Sequence, residues 1–363
     1  MKKILSILLS ALFLAGCSVD AKLIEKEKQK PIETKKQVQN EDIELLTLFS
    51  SKSNVKNRAW VGTFQLVFND MKNHIIKQDI EFLNEEPTQE LAGLNSEKFN
   101  SSMLNKKSYY TSYGKTSFKA KKKIKKDIKK KFNETSDVID SGDWSSAEGK
   151  FYAYAMLKKQ FEFLKEFDKL EKMSFNNSQE KFDYFGIKME SDKDLDNNVK
   201  VLFYENEKEY AIQLLTKTDD IVYLYRTDND KDFKTLYEEM NKKSDNYNGS
   251  KEFLKKDTLM IPKINVDLLR TYPELCGKII KNTSPQMYFS MAVETLKFEM
   301  DKKGGKIKSE ALIMTKMIAL PADFNMPPRH FNFDKTFNLF LIDKGKKDPY
   351  AAFRIEDLRI FQK

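Results

Sequence analysis

The sequence predicts a single α+β domain, with helices first and a mixed or mostly antiparallel sheet later. Three observations predict it. Apolar residues recur at helical spacing early in the chain, β-rich runs dominate after Lys200, and strand and helix patterns nowhere alternate as parallel βαβ units require. Composition agrees with a packed core: 27 Phe and 15 Tyr provide large apolar surface, and 12 Gly and 9 Pro are too few for a loop-built or fibrous chain.

Taken in order, the domain pattern opens near Asn57, where Trp60, Phe64, Val67, Phe68 and Met71 fall at helical spacing. Ala120, Ile124, Ile128 and Phe132 step by four and define a second helix with one narrow apolar seam, ended by Asn133 and Glu134-Thr135-Ser136. Phe151, Tyr154, Leu157, Phe161, Leu164 and Phe167 recur at three and four, which predicts a third helix over 150–170. Three β-prone runs follow at 200–204, 210–215 and 221–225, separated by Asn, Asp and Lys turns. A helix at 233–240 and strands at 258–264, 286–300, 312–320, 337–342 and 350–355 complete the pattern.

The N-terminus carries a different kind of signal. Lys2 and Lys3 precede an apolar run from Ile4 to Leu14, too short to span a bilayer and of the length of a signal peptide. It ends in Leu14-Ala15-Gly16-Cys17, which resembles the lipobox of bacterial lipoproteins. That resemblance implies cleavage after residue 16, acylation of Cys17 with palmitate-type chains, and anchoring in the cell membrane with the domain on the extracytoplasmic face. The expected organisation is a signal peptide at 1–16, a lipidated cysteine and disordered Lys/Glu/Gln-rich tether at 17–42, and the domain at 43–363. Cys276 is then the only other thiol, so no disulfide can form within one processed chain, and its apolar neighbours predict a core position.

The net charge of +9 belongs to one segment. Between Lys115 and Lys131 ten lysines face one aspartate, so the rest of the chain sums to zero. Lys121, Lys122, Lys123, Lys125, Lys126, Lys129 and Lys130 form the candidate polyanion-contact helix, for acidic wall polymer, anionic lipid or glycan; the bland alternative is a solvated helix face. Nucleic acid is not an expected partner, because the helix lacks interleaved aromatic residues and lies outside the cell.

Catalytic and metal motifs fail on inspection. Gly114-Lys115-Thr116 lacks the preceding glycines of a phosphate loop. Ser53/Lys56, Ser112/Lys115 and Ser178/Lys181 have serine–lysine spacing, but no lysine-threonine-glycine strand completes the set. Asp192/Asp194/Asp196 and Asp228/Asp230/Asp232 alternate as in a calcium loop, yet Asn197 and Phe233 replace its turn glycine. His74 and His330 stand far apart, with no carboxylate or cysteine at ligand spacing. No cofactor, no metal and no catalytic residue are expected.

From about Lys150 onward the order of segments resembles the serpin family. Phe331, Asp334, Lys335 and Phe337 match its C-terminal signature, with Thr336 in place of proline, and Ala352-Phe353-Arg354-Ile355 is similar to its closing strand, with Phe353 in place of glycine. Ala292-Val293-Glu294 and the run Phe298 to Gly305 resemble the strand that enters the reactive-loop hinge. The resemblance implies a reactive-loop region between 306 and 329, flagged by Gly304, Gly305, Lys306, Leu320 and Pro321. Inhibitory members insert small hinge residues into a sheet, whereas Lys306, Lys308 and Glu310 would each cost several kcal/mol to bury unpaired, so this loop is expected to stay out. The expected function is a non-catalytic, monomeric surface binding or scaffold protein, bound to membrane lipid through Cys17 and to a polyanionic surface ligand. The alternative is an inhibitor of a serine or cysteine protease.

Overall fold

The computed structural model describes residues 42–146, 150–306 and 327–362. Cys17, the 17–41 stretch of the tether, the 312–320 strand, Leu320 and Pro321 therefore lie outside the described residues.

The described chain begins with β1 (Ile43–Leu46) and β2 (Asn57–Val61), then α1 (Thr63–Asp70), α2 (Gln89–Ser96), β3 (Tyr109–Lys115), α3 (Phe118–Phe132) and β4 (Phe151–Leu157). Short strands β5 (Phe161–Glu162), β6 (Asp168–Lys169) and β7 (Tyr184–Ile187) lead to the meander β8 (Val199–Asn206), β9 (Glu209–Leu214) and β10 (Asp220–Arg226), followed by α4 (Phe233–Asn246). Next come β11 (Thr258–Pro262), β12 (Ile264–Thr271), β13 (Ile279–Ile280), β14 (Met287–Tyr288), β15 (Val293–Asp301) and β16 (Gly304–Lys306). The described strands end with β17 (His330–Asn332), β18 (Phe337–Asp343) and β19 (Pro349–Ile355).

A mixed, mainly antiparallel α+β architecture results. Seven strands form the largest sheet, in the order β1-β2-β19-β18-β10-β9-β8, with only β1 and β2 parallel in it. All residues of β18 and β19 are buried, because both faces of the sheet are covered. Phe340 faces α4, with its ring 6.2 Å from Phe233 and 5.3 Å from Tyr237. Phe353 stacks at 4.7 Å on Phe298 of a second sheet, β12-β15-β16-β5. A layer of side chains thus holds the two sheets together, while α4 buries Phe233, Leu236 and Met240.

Two helix expectations are corrected. The 150–170 segment is β4 and β5, not a helix. Tyr109 to Lys115 pair antiparallel with Leu157 to Phe151 over the full length of both strands. Side chains of β4 alternate: Tyr152, Tyr154 and Met156 pack under α3, while Ala155 and Leu157 pack against the main core. Apolar residues on both faces of a strand produce spacings of three as well as four, which is why the pattern mimics a helix. Likewise Trp60 belongs to β2, and α1 starts only after Gly62, where any Cβ would meet the Phe99 ring at 2.0 Å. By contrast, β8–β10, α3, α4, β18 and β19 stand where the pattern placed them, with ends moved by a few residues.

The first three residues flagged for the reactive-loop region, Gly304, Gly305 and Lys306, form a strand. After β15 the chain turns at Lys302–Lys303, and β16 lies in the sheet between β15 and β5, with Gly305 paired to Met300 on one side and Phe161 on the other. Glycine makes this fit. A Cβ on Gly304, at φ +145°, would stand 2.2 Å from the Phe161 carbonyl oxygen, and one on Gly305 would stand 2.4 Å from the Phe161 ring. Lys308 and Glu310 lie outside the described residues.

The first turn of α1 has no acidic residue and no side-chain cap of its own. Glu294 of β15 takes that place, accepting from Thr63 Oγ1 at 2.8 Å and the Phe64 backbone N–H at 3.2 Å, with Tyr272 donating to its other oxygen at 2.7 Å. Burial still pushes this carboxyl up to about 7. Two predictions follow from these contacts. Gly304→Val lowers stability by about 3 kcal/mol in urea unfolding, whereas Gly345→Ala, strained at φ +80° but in open space, costs about 1 kcal/mol; equal losses would rule out the clash. Because Glu294 titrates higher in the folded chain than in the unfolded one, its contribution is complete below about pH 4.5 and is lost as pH rises to 7. Relative to Glu294→Gln, the native chain should lose on the order of 3 kcal/mol across that window; parallel stability curves would refute the assignment.

Candidate functional site

The site is the outer face of α3. Ser117 caps the helix by accepting from the Ala120 N–H at 3.0 Å, and Asn133 closes it in the left-handed region at φ 53°. Lys129, Lys130 and Lys131 in the last turn complement the negative end of the helix dipole. Ile124, Ile128 and Phe132 are buried against Ile139, Trp144 and Tyr154, so the narrow seam seats the helix on the paired strands β3 and β4.

The lysines divide into two groups. Lys121 and Lys125 converge on Asp140 at 2.8 and 2.7 Å, Lys123 pairs with Asp127 at 2.7 Å, and Lys131 donates to the carbonyls of Lys106 and Tyr109. These ties engage the flanking lysines, although Asp140 serves two of them and the carbonyls bring no charge. Lys119, Lys122, Lys126, Lys129 and Lys130 are exposed, and no ion pair among the described residues reaches them. At 3.6 residues per turn these five fall within an arc of about 100° on the side away from the seam, in a stripe about 16 Å long. Phe118, the first helical residue, stands beside it at 69% exposure.

Of the seven lysines expected to act together, four lie on the stripe and three are occupied by carboxylates. Lys119 was missed, although the helical phase of the Ile124/Ile128 seam places it opposite the buried side. Nothing in the stripe is local neutralisation. Lys122/Lys126 and Lys126/Lys130 are like-charge neighbours one turn apart, and each such pair costs a helix about 0.2–0.5 kcal/mol.

The remaining candidates separate in space. His74 stacks on Tyr113 at 4.3 Å, and His330 Nδ1 lies 2.9 Å from Thr258 Oγ1. Ser53 donates to Glu44, and Ser112 shares a hydrogen bond with Tyr152 at 3.0 Å. Asp192 caps a 3₁₀ turn, Asp228 pairs with Arg226, Asp230 with Arg58, and Asp232 caps α4. Among the described residues no cluster of His, Cys, Asp or Glu is arranged to hold a metal ion. Cys276 is buried, as expected. No helix among the described residues is long and apolar enough to cross a membrane.

Comparison with known proteins establishes the anchor. A model of the prokaryotic membrane lipoprotein lipid attachment site matches residues 1–18. The chain is therefore a prokaryotic membrane lipoprotein, held by lipid at the extracytoplasmic face of the cell membrane. No curated protein matches it. Among solved structures it is similar to Serpin48 of the insect Tenebrio molitor, at 11% identity and a TM-score of 0.42 over 71% of this chain and 79% of that one. It is also similar to human thyroxine-binding globulin complexed with thyroxine, at 12% identity and a TM-score of 0.37 over 65% of this chain and 63% of that one. Both likenesses are distant.

Proposed function

We propose that this lipoprotein is a non-catalytic surface binding protein whose α3 stripe takes a polyanionic ligand outside the membrane. The observation that supports it is the stripe itself: five lysines that no ion pair among the described residues reaches, gathered on one helix face at a cost to helix stability, while Lys121, Lys123 and Lys125 meet carboxylates. Solvation requires charge but not charge of one sign in one line. A polyanion would relieve the repulsion and gain the attraction of all five together.

The mature chain carrying Cys17→Ser, applied to immobilised heparin as a generic polyanion, should bind with an affinity that falls on the order of tenfold when salt rises through the physiological range. Replacing Lys119, Lys122, Lys126, Lys129 and Lys130 together by glutamine should weaken binding more than 100-fold, as about 1 kcal/mol per lysine implies. Replacing Lys121 and Lys125 should change it little. Equal binding by the native chain and the five-residue variant would end the proposal.

A second reading has its own support in the lie of β16 between β15 and β5, which starts the 306–329 segment from inside a sheet. On that reading the segment is the reactive loop of a serine or cysteine protease inhibitor. Incubation with a panel of such proteases should then yield an adduct that survives denaturing electrophoresis; digestion without adduct or thermal stabilisation eliminates it.

A further inference from the structure

A cavity of about 330 Å³ opens between α1, β4, the loop at 138–144 and the segment between β14 and β15. It is separate from the exposed lysine stripe. Its walls are rings and aliphatic chains, among them Phe64, Phe68, Trp144, Tyr152, Phe289 and Met291. After α1 the helix widens into a π-type segment, Met71–Ile76, whose two end residues line the cavity. Such widenings recur at functional sites because they redirect side chains without ending the helix.

The lining says what kind of molecule fits. Among the described residues Asp143 and Lys150 are its only charged ones, and they pair with each other at 2.5 Å, the ammonium holding the carboxyl down to about 2. A charged ligand would have to compete with that half-exposed pair or go unmatched among aromatic rings, and the second is the costly case. Trp144 spends its indole N–H on the Ile139 carbonyl at 2.7 Å, so it offers the cavity a ring face. Tyr152 lies 5.0 Å away, with its hydroxyl engaged by Ser112. Tyr288 and Met291, 45% and 41% exposed, are apolar groups held partly in water at the same site. Volume and lining both fall in the range of small-molecule sites.

We propose that this cavity is a binding site for an uncharged hydrophobic small molecule, seated against Trp144 and Tyr152. The source is either an acyl chain or a free aromatic compound, which share this chemistry. The chain has only two tryptophans, and Trp60 is buried elsewhere against Phe49 and Phe99. Trp144 is therefore a reporter built into the site.

The test titrates the mature chain carrying Cys17→Ser with N-phenyl-1-naphthylamine, a neutral fluorophore. Saturable one-site binding is expected, with energy transfer from tryptophan that survives Trp60→Phe and is lost in Trp144→Phe. Gly142→Phe places its Cβ 3.2 Å from Trp144 Nε1 and 3.6 Å from Met291 Cε, so its ring should plug the cavity. Ala153→Phe fills it from β4. Each should weaken binding about tenfold or more, in protein whose thermal melt shows it folded. Displacement by a monoacylglycerol identifies an acyl chain, and displacement by indole an aromatic ring. Non-saturable binding, undiminished affinity in both filled variants, or displacement by a fatty-acid anion but not by its uncharged alcohol overturns the assignment.

Discussion

The ammonium group of Lys159 holds the centre of this molecule. Asp220 ends β10 and Asp343 ends β18, and the register sets the two directly opposite each other. Two carboxylates in that relation repel, and both are buried. Lys159, only 3% exposed, donates to both, while the Tyr350 hydroxyl donates to Asp220 at 3.0 Å and the Asn105 N–H to Asp343 at 2.9 Å. Burial raises the Asp220 carboxyl above its ordinary range, so the ion pair works against desolvation. Without the ammonium the sheet would carry two uncompensated carboxylates at its end, a loss of about 3–5 kcal/mol by the measure of broken buried pairs. Its neighbour Lys158 points the other way, donating to the Phe132 carbonyl at 2.9 Å and to Glu134 at 2.6 Å. Two adjacent lysines thus tie the end of α3 to the end of the sheet, adding to the apolar seam that seats the helix.

That arrangement explains what sequence reasoning could reach. The meander β8–β10 is legible because its strands are neighbours in the chain, joined by short turns rich in polar residues. α3 is legible because its seam is read against a background of lysine. β4 is not, since apolar residues on both of its faces satisfy helical and strand templates together, and only the partner strand decides between them. Neither Lys159 nor Glu294 announces itself: each is an ordinary charged residue in a chain where one residue in three is charged. Their roles come from partners distant in sequence.

The candidate site shows the same division. Charge density along the sequence locates the helix but not which lysines stand without an ion pair, because that depends on Asp140, on Asp127 and on two carbonyls before the helix. The cavity has no sequence signature, for its walls come from four separate segments whose apolar residues read as core. Binding surfaces of this kind are properties of assembly. The anchor is the opposite case, a short linear signal that a processing enzyme reads before any fold exists.

The position of β18 and β19 in the middle of the large sheet has a consequence for how the protein is made. β2 and β10 are not neighbours; the last strands of the chain lie between them. Until those strands arrive, β2 and β10 each present an open edge, and no partial chain can close the sheet. The two halves of the sheet therefore join only once β18 and β19 pair between them.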